Sequence, residues 1–368
     1  MKTAAVIAAG GLSSRMKEFK PFLPIGGLAM IEKTISNFQS AGIEEIVVVT
    51  GYRGDEIKNR MAGSGVVFLE NPKYHSTQMF DSVKIGLEKV KFGTDMVFVS
   101  PSDSPFVQQF TLKAMIREME KGITDLIQPT FHGEKGHPLL LNQRIIDQIL
   151  NHDGSQGLQG AIARLQGQTV NMAFADPGIL MDADTPEDYG KLTEYHRTKD
   201  CPSEELCREI QDYFKAADSL KAHSEKVASV AASIGQVLRE RGIKLDPDII
   251  RAAGLLHDIA KGQDNHAKTA AKWLKDMGYL YVSEIVDEHM VLSAVPRKPS
   301  EKEVVYLADK LVQDDRDITI EEKFTARKAF FGGDEEAIAA VERRKEQAME
   351  IYELIFGSLP DTKKGILK

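Results

Sequence analysis

Four histidines and two aspartates in the second half of the chain have the residue types that hold divalent metals. His257 and Asp258 are adjacent in the segment GLLHDIAKG, and His223 falls in helical phase with the apolar Val227. Burying an unpaired carboxylate is costly, so an aspartate on an apolar helix face should bind a metal or an ionic partner. A single residue of this kind is more often a hydrogen-bonded core residue. The whole set, in contrast, favours a centre for one or two divalent metals such as Fe, Mn or Zn, held by His223, His257, Asp258, His266, His289 and Asp309.

A second candidate site lies at the start of the chain, where a short apolar run leads into a glycine-rich turn, AAGGLSSRM, and then Lys20-Pro21. Such a turn between a strand and a helix lets backbone N–H groups approach phosphate oxygens closely. The segment is neither a P-loop nor a dinucleotide fingerprint, and glycines alone would more often mean an ordinary tight turn. The added cations favour a phosphate site formed by Ala9, Gly10, Gly11, Arg15 and Lys20.

Two acidic segments complete this candidate site at the start of the chain. Asp103 follows the apolar run VFVS, at the carboxyl end of a predicted strand, where open α/β sheets place their ligands and where Mg²⁺ can be held by oxygen ligands. The later segment MDADTPED carries Asp182 and Asp184, which could meet Asp103 across a shared metal. The alternative is that Asp184 or Thr185 caps the following helix.

The elements that must position these residues differ between the two halves. The first half alternates apolar strands such as EEIVVVTG with helical segments such as FDSVKIGLEKV, which is typical of βαβ units around a mostly parallel sheet. Beyond Ser203 the sequence is almost entirely helical in period, and Pro202 marks a break near residue 200. We therefore expect domains over 1–198 and 204–330, followed by a helix over 333–357 that packs on the second domain or contacts another copy of the chain.

Net charge, apolar segments and cysteine content limit the classes of function that fit this chain. A net charge of −8 with both signs scattered argues against nucleic acid or an anionic membrane as the main partner, and no segment has the roughly 18 apolar residues of a membrane span. The two cysteines, Cys201 and Cys207, do not have the spacing of a zinc knuckle and fit free thiols in a reducing cytoplasm. The apolar start of the chain is interpreted as a buried strand because no cleavage region follows it.

The motifs of the first half, AAGGLSSRM with KP, SDSPFV, GHPLL and DADTPEDY, together resemble the molybdenum-cofactor cytidylyltransferases over about residues 1–195. The element Gly136-His137-Pro138 favours the cytidylyl over the guanylyl branch. The resemblance implies a Rossmann-like α/β nucleotidyltransferase that transfers CMP from CTP, or another NTP, to a molybdopterin-type phosphate with loss of pyrophosphate. It places the triphosphate on the Gly10–Arg15 loop and Lys20, with Mg²⁺ on Asp103 and Asp184.

Two positions depart from this family. Lys17 stands where a glycine is usual, and the segment Gln78-Met79-Phe80-Asp81-Ser82 replaces a run of small residues. The second departure lies near the nucleotide and the acceptor in the family. A sugar phosphate or polyol phosphate therefore stays open as the acceptor.

The second half resembles the all-α HD superfamily over about residues 204–330, because His, His-Asp and a later Asp occur in the expected order in HSEKVASVA, GLLHDIAKG and VVYLADKLV. The resemblance implies one metal on His223, His257, Asp258 and Asp309, and a second on His266 and His289, with Asp258 bridging. It further implies an acidified water that hydrolyses a phosphoester or phosphoanhydride, with His257 and Asp258 as catalytic residues. The alternative is a nucleotide-binding regulator without turnover.

Overall fold

The computed structural model of the protein describes residues 1–13, 15–16, 18–331 and 334–357. It divides the chain into two compact units, Met1–Arg197 and a second unit that begins at Thr198. The sequence placed this boundary near residue 200. Residue 333, where the C-terminal helix was expected to begin, lies outside the described residues.

The strands of the first unit are short, apolar and mostly buried. They are β1 Thr3–Ala9, β2 Pro24–Ile25, β3 Leu28–Ala29, β4 Glu45–Thr50, β5 Val67–Glu70, β6 Met96–Pro101, β7 Leu126–Phe131, β8 Glu134–Lys135, β9 Leu139–Asn142 and β10 Thr169–Ala173. Apart from a β2–β3 ribbon, they form an eight-stranded sheet in the described residues, with the order β10-β7-β9-β6-β1-β4-β5 and β8 on β7.

The pairs β1–β4, β1–β6, β4–β5 and β7–β10 are parallel, which confirms the predicted mostly parallel α/β sheet. Strands β7 to β10 were not individually predicted from the sequence. Strand β9 lies antiparallel between β6 and β7, pairing Leu139 with Val99 and Leu141 with Leu126. Its four residues are all buried, and so short a continuous apolar run carries no signal of its own direction.

Helices connect the strands of the first unit. Their bounds are α1 Met30–Ser40, α2 Gly54–Arg60, α3 Met79–Val90, α4 Gln109–Met119, α5 Ile146–Leu150, α6 Gly157–Ala163 and α7 Pro186–Thr198. Helix α3 lies on β1 so closely that a methyl group on Gly86 would stand 2.3 Å from a Val6 side-chain carbon. The inner strand β1 is buried from Ala4 to Ala9 because both faces of the sheet are covered.

The second unit is helical, as the sequence predicted. Its helices are α8 Glu204–Tyr213, α9 Asp218–Glu240, α10 Pro247–Leu256, α11 His266–Asp276, α12 Leu280–Glu288, α13 Glu301–Lys310, α14 Ile320–Phe331 and α15 Glu335–Phe356. A short antiparallel hairpin, β11 Val312–Gln313 and β12 Arg316–Asp317, was not predicted. Within this unit α15 is tied to the loop after α12, because the Gln347 amide bonds to both the N–H and the C=O of Leu292.

None of the described helices combines the length and the apolar character needed to cross a lipid bilayer.

The close approach of α9 and α10 yields a stability prediction. A Cβ atom added at Gly254 would lie 2.7 Å from the Cα atom of Ala228, so the Gly254→Ala variant must push two helix backbones apart. We expect a loss of about 1–3 kcal/mol in the free energy of unfolding of the second unit. Because the single tryptophan, Trp273, belongs to this unit, its fluorescence during urea unfolding reports the change.

The matched control is Gly235→Ala in α9. Its added Cβ would meet only the terminal methyl carbon of Ile250, also at 2.7 Å, and that carbon can rotate away. The gain in helix propensity, about 1 kcal/mol, should offset the adjustment. An equal loss in both variants would show that backbone contact between the two helices is not the cause.

Candidate active sites

The register of the central sheet brings the glycine turn and Asp103 to one edge. Ala8 of β1 pairs with Pro101 of β6, and the Ser102 N–H donates to the Ala8 carbonyl over 3.2 Å. The strands are parallel, so the residues that follow each of them leave the sheet side by side. Gly10 and Asp103 therefore emerge at the edge where open α/β sheets bind their ligands.

Lys20 joins the two acidic segments of this edge. Its ammonium lies 3.2 Å from Asp103 Oδ2 and 2.7 Å from Asp184 Oδ1, and Arg15 lies 3.1 Å from Asp184 Oδ2. Burial would lower the pKa of Lys20, but the bond to Asp184 and the charge of Asp103 raise it above its ordinary value. Lys20 therefore stays charged, and Asp184, whose pKa is lowered mainly by the bond from Lys20, stays ionised.

The segment that carries Asp184 is fixed from both sides. Thr185, and not Asp184, caps α7, because the Thr185 hydroxyl accepts from the Asp188 N–H at 3.2 Å and donates to the Asp188 carboxylate at 2.6 Å. Upstream, the buried Asp176 accepts bonds from the Gln108 N–H, the Thr111 hydroxyl and the Gly178 N–H. Asp184 is thus left to face Lys20 and Arg15.

Two further groups stand near this cluster. Burial and the negative charges of Asp103 and Asp184 raise the pKa of Asp182 to about 6, which marks an excess of carboxylate at the site. The backbone N–H of His137 donates to the Ile179 carbonyl at 2.8 Å. The ring Nδ1 of His137 is buried without a hydrogen-bond partner among the described residues. Burial lowers the pKa of His137, against the charge of Asp103, so the ring is neutral.

The predicted phosphate turn is described except for Ser14, which, like Lys17, lies outside the described residues. The backbone at Gly10 is crowded, since an added Cβ would stand 3.0 Å from the Ser82 hydroxyl. Gly11 is exposed and has open space around it, whereas Ala9 is buried. The donor set of Asp103 and Asp184 is made of carboxylate oxygens that already share one cation, so these residues fit Mg²⁺.

In the second unit, the six predicted ligands meet around one carboxylate, that of Asp258, which is 2% exposed. Its Oδ1 lies 3.2 Å from His266 Nε2 and 3.5 Å from His289 Nε2. Its Oδ2 lies 3.6 Å from His257 Nε2 and 4.0 Å from His223 Nε2. The carboxylate therefore stands between two groups of metal-binding atoms, one on each oxygen.

Asp309 closes one of these groups. Its Oδ1 lies 3.5 Å from His223 Nε2 and 3.9 Å from His257 Nε2. Burial would raise the pKa of Asp309, but the positive charges of Lys310 and Lys323 hold it well below its usual range. The ionised form that a metal ligand requires is thus present in the protein itself.

Hydrogen bonds to backbone carbonyls set the tautomer of three of the histidines. The Nδ1 atoms of His223, His257 and His289 lie 2.8, 2.8 and 2.7 Å from the carbonyl oxygens of Asp314, Gly254 and Val286. A carbonyl accepts only, so each Nδ1 carries a proton, and the Nε2 of each neutral ring presents a lone pair. Burial also lowers the pKa of His257 to about 4, which keeps this ring neutral.

Several of the converging atoms have no partner of their own. Among the described residues, buried atoms without a hydrogen bond include His257 Nε2, His266 Nε2, His289 Nε2 and Asp258 Oδ1. Leaving four such atoms unsatisfied in one place is costly, and divalent metals bound by the two groups would satisfy them. The residues present therefore fit one or two metals of the Fe, Mn or Zn kind.

The local structure of these ligands differs in part from the sequence prediction. His223 and Asp309 lie within α9 and α13, but His257 is the C-cap of α10, His289 is the C-cap of α12 and His266 begins α11. Two lysines of the cluster were missed. Lys310 Nζ donates to Asp309 Oδ2 at 2.7 Å, and Lys323 Nζ donates to the Asp309 carbonyl. Lys310 could have been inferred from its position beside Asp309, whereas nothing in the sequence indicated Lys323.

The shared carboxylate predicts how metal content depends on single residues. We expect Asp258→Asn to lose nearly all bound metal, because Asp258 belongs to both groups, and His266→Gln to lose about one ion of a two-metal protein. The measurement is the metal-to-protein ratio of the purified full chain by mass spectrometry. His152→Gln, which changes a buried histidine of the first unit, is the control. Full metal content in Asp258→Asn would contradict the shared-ligand arrangement.

Comparisons with known proteins agree with both geometries. Residues 5–170 match the family model of the MobA-like NTP transferase domain, and residues 220–314 match that of the HD domain. Molybdenum cofactor cytidylyltransferase of Escherichia coli (strain K12) is 29% identical over 185 residues, which are 50% of this chain and 92% of that protein. Bifunctional protein GlmU of Geotalea uraniireducens (strain Rf4) is 32% identical over 118 residues, which are 31% of this chain and 25% of that protein.

Among solved structures, that of Rv0371c from Mycobacterium tuberculosis H37Rv has a TM-score of 0.47 and 21% sequence identity, and the match covers 53% of this chain and 99% of that one. The first match covers Arg15, Lys20 and Asp103 but ends before Asp184, and the second covers all six predicted ligands of the HD domain. The two matches confirm both resemblances predicted from the motifs. The protein is therefore an enzyme in which residues 5–170 match a MobA-like NTP transferase domain and residues 220–314 match an HD domain.

Proposed function

We propose that the first unit transfers CMP from CTP to the phosphate of a molybdopterin-type cofactor. The observation that carries this proposal is the position of Lys20 between Asp103 and Asp184, beside the glycine turn. The likeness to the Escherichia coli molybdenum cofactor cytidylyltransferase supports the choice of nucleotide and acceptor. The proposed site residues are Ala9, Gly10, Gly11, Arg15, Lys20, Asp103 and Asp184.

In this reaction an oxygen of the acceptor phosphate forms a bond to the α-phosphorus of CTP, and the bond from that phosphorus to pyrophosphate breaks. Backbone N–H groups of the Gly10–Gly11 turn bind phosphate oxygens, and Arg15 and Lys20 offset the negative charge of the triphosphate. Asp103 and Asp184 would hold Mg²⁺, which supplies further charge neutralisation when it is bound. The protein contributes position and electrostatics, and no protein nucleophile is needed.

A sugar or polyol phosphate is the alternative acceptor, because Gln78–Ser82 departs from the small residues usual in the cytidylyltransferases. To distinguish the two acceptors, the full chain is incubated with CTP and Mg²⁺ plus either molybdopterin or a panel of sugar phosphates. Pyrophosphate release is followed in each reaction. Parallel reactions with GTP test the base. Release that depends on a sugar phosphate and not on molybdopterin would overturn the proposed acceptor.

We propose that the second unit hydrolyses a nucleotide or another phosphoester. His223, His257, Asp258 and Asp309 would hold one metal, and His266 and His289 a second that shares Asp258. When bound, such metals make a water more acidic and hence nucleophilic near neutral pH. The unpartnered Nε2 atoms that converge on Asp258 support this role over that of a regulator without turnover, since a nucleotide sensor has no need of them.

We further propose that the protein acts in the cytoplasm, since its cysteines are free thiols. Cys207 is buried and Cys201 is half-buried.

Lys20 gives a direct test of the first activity. Lys20→Met should lower the rate of CTP-dependent pyrophosphate release by about 10²–10³-fold, because one of the charges that face the transferred phosphate is removed. The control is Lys191→Met, on the exposed face of α7, where the ion pairs of the lysine within the described residues are to Glu187 and Asp188 of its own helix. Equal rates in the two variants would contradict a role for Lys20 in transfer.

The two activities should be separable in the full chain. Asp258→Asn should lower phosphoester hydrolysis by at least about 100-fold, because both metal groups lose a shared ligand, and should leave pyrophosphate release from CTP as in the wild type. Lys20→Met should show the opposite pattern. Hydrolysis that survives Asp258→Asn would place the phosphohydrolase activity elsewhere.

A further inference from the structure

The metal cluster of the second unit forms part of the lining of a cavity of about 730 Å³ that is much larger than a single phosphate group. Other parts of its wall are apolar and include Leu220, Ile259, Phe324 and Val341. Phe214 also lines it and is stacked on Trp273 at 4.1 Å between ring centroids. A volume of several hundred cubic ångströms with apolar and aromatic walls suits an organic group such as a nucleoside.

Six basic side chains line the same cavity, and they divide into two sets. Lys261, Lys310 and Lys323 are each bonded to Asp258 or Asp309, so their charge is matched within the metal cluster. In contrast, Lys215, Arg327 and Arg344 have no ion-pair partner among the residues that the structure describes. We call these three residues the outer cations.

The outer cations come from three separate elements. Lys215 lies in the turn between α8 and α9, where its φ is +55°, Arg327 lies in α14 and Arg344 in α15. The acidic residues of the cavity are Asp258, Asp309 and Asp314, and the first two belong to the metal cluster. In a chain of net charge −8, positive charges without partners around one concave surface attract an anion.

These cations are additional to the metal site of the HD domain. The HD family model matches residues 220–314, and Lys215, Arg327 and Arg344 all lie outside that range. The guanidinium group binds phosphate oxygens through two parallel hydrogen bonds, which makes two arginines a suitable site for a phosphate that the metals do not hold.

We propose that the cavity takes a nucleoside carrying two or more phosphates, with one phosphate at the metal cluster and another on the outer cations. This inference deepens the proposed phosphohydrolase function and rests on it. In the reaction, the oxygen of a water forms a bond to the phosphorus at the metal cluster, the bond from that phosphorus to its leaving oxygen breaks, and a proton from the water passes to the leaving oxygen.

The test compares two ligands of the metal-loaded full chain by calorimetry. One is a methylene-bridged nucleoside diphosphate, whose phosphates cannot be separated by hydrolysis, and the other is the corresponding nucleoside monophosphate. Adenine and cytosine forms of each are used so that base preference does not decide the result. All proteins carry Lys20→Met, which weakens nucleotide binding in the first unit.

With the outer cations intact, we expect the diphosphate analogue to bind at least about tenfold more tightly than the monophosphate, because a charge-assisted hydrogen bond contributes about that factor. The double variant Arg327→Gln with Arg344→Gln should bring the ratio of the two dissociation constants close to one. The matched control is Arg343→Gln, which changes the neighbouring exposed arginine of α15 that does not line the cavity.

Three results would overturn the inference. The first is a ratio close to one with the outer cations intact, or no detectable binding of either nucleotide. The second is a ratio of dissociation constants that stays unchanged in the double variant or falls equally in Arg343→Gln. In that case diffuse surface charge, and not the two cavity arginines, would explain the preference for the diphosphate. The third is an affinity for inorganic pyrophosphate equal to that for the diphosphate analogue, which would show that the cavity does not bind the nucleoside.

A hydrolysis assay with natural nucleoside diphosphates distinguishes this inference from the function on which it rests. Tight, arginine-dependent binding without any hydrolysis would overturn the phosphohydrolase function and support the second phosphate subsite. Hydrolysis together with an unchanged binding ratio in the double variant would support the phosphohydrolase function and overturn the second phosphate subsite.

Discussion

The second unit depends on the cost of placing the Asp258 carboxylate where water cannot reach it. An ionised carboxylate that is 2% exposed must be surrounded by positive or electron-accepting groups, or it will bind a proton instead. Here three imidazoles are turned by carbonyls so that their lone pairs also point inward. Lone pairs and a carboxylate repel one another, so the arrangement is consistent with a metal and would be poorly stable as a hydrogen-bonded core.

Helix ends explain why the imidazoles can turn in this way. His257 and His289 each bond to a carbonyl three residues earlier, in the last turn of α10 or α12, where carbonyl groups lack helical partners. The ring is thereby held by its own helix, and only Nε2 is left for the centre. Asp309 and Lys310 approach from α13, and Lys323 approaches from α14.

In the first unit, an ammonium group and a guanidinium group stabilise neighbouring carboxylates. Lys20 stands between Asp103 and Asp184, and Arg15 bonds to the second oxygen of Asp184, so the pKa of Asp184 is lowered. Burial and the charges of Asp103 and Asp184 raise the pKa of the neighbouring Asp182 to about 6, against the opposing charge of Lys20. Carboxylate oxygens gathered beside cationic side chains are the groups that a site for Mg²⁺ and triphosphate requires.

The sequence determined the class of each half and most of the residues that carry chemistry. Periodicity and the glycine turn predicted the parallel strands and the helical second half, since both signals are local and repeat along the chain. The residues that converge around Asp258 were predicted from residue type and order. In contrast, β9, the β11–β12 hairpin and the bonds of Lys310 and Lys323 to Asp309 were not. Strand direction, ring tautomer and the pairing of a cation depend on residues far apart in the chain, so only the tertiary structure decided them.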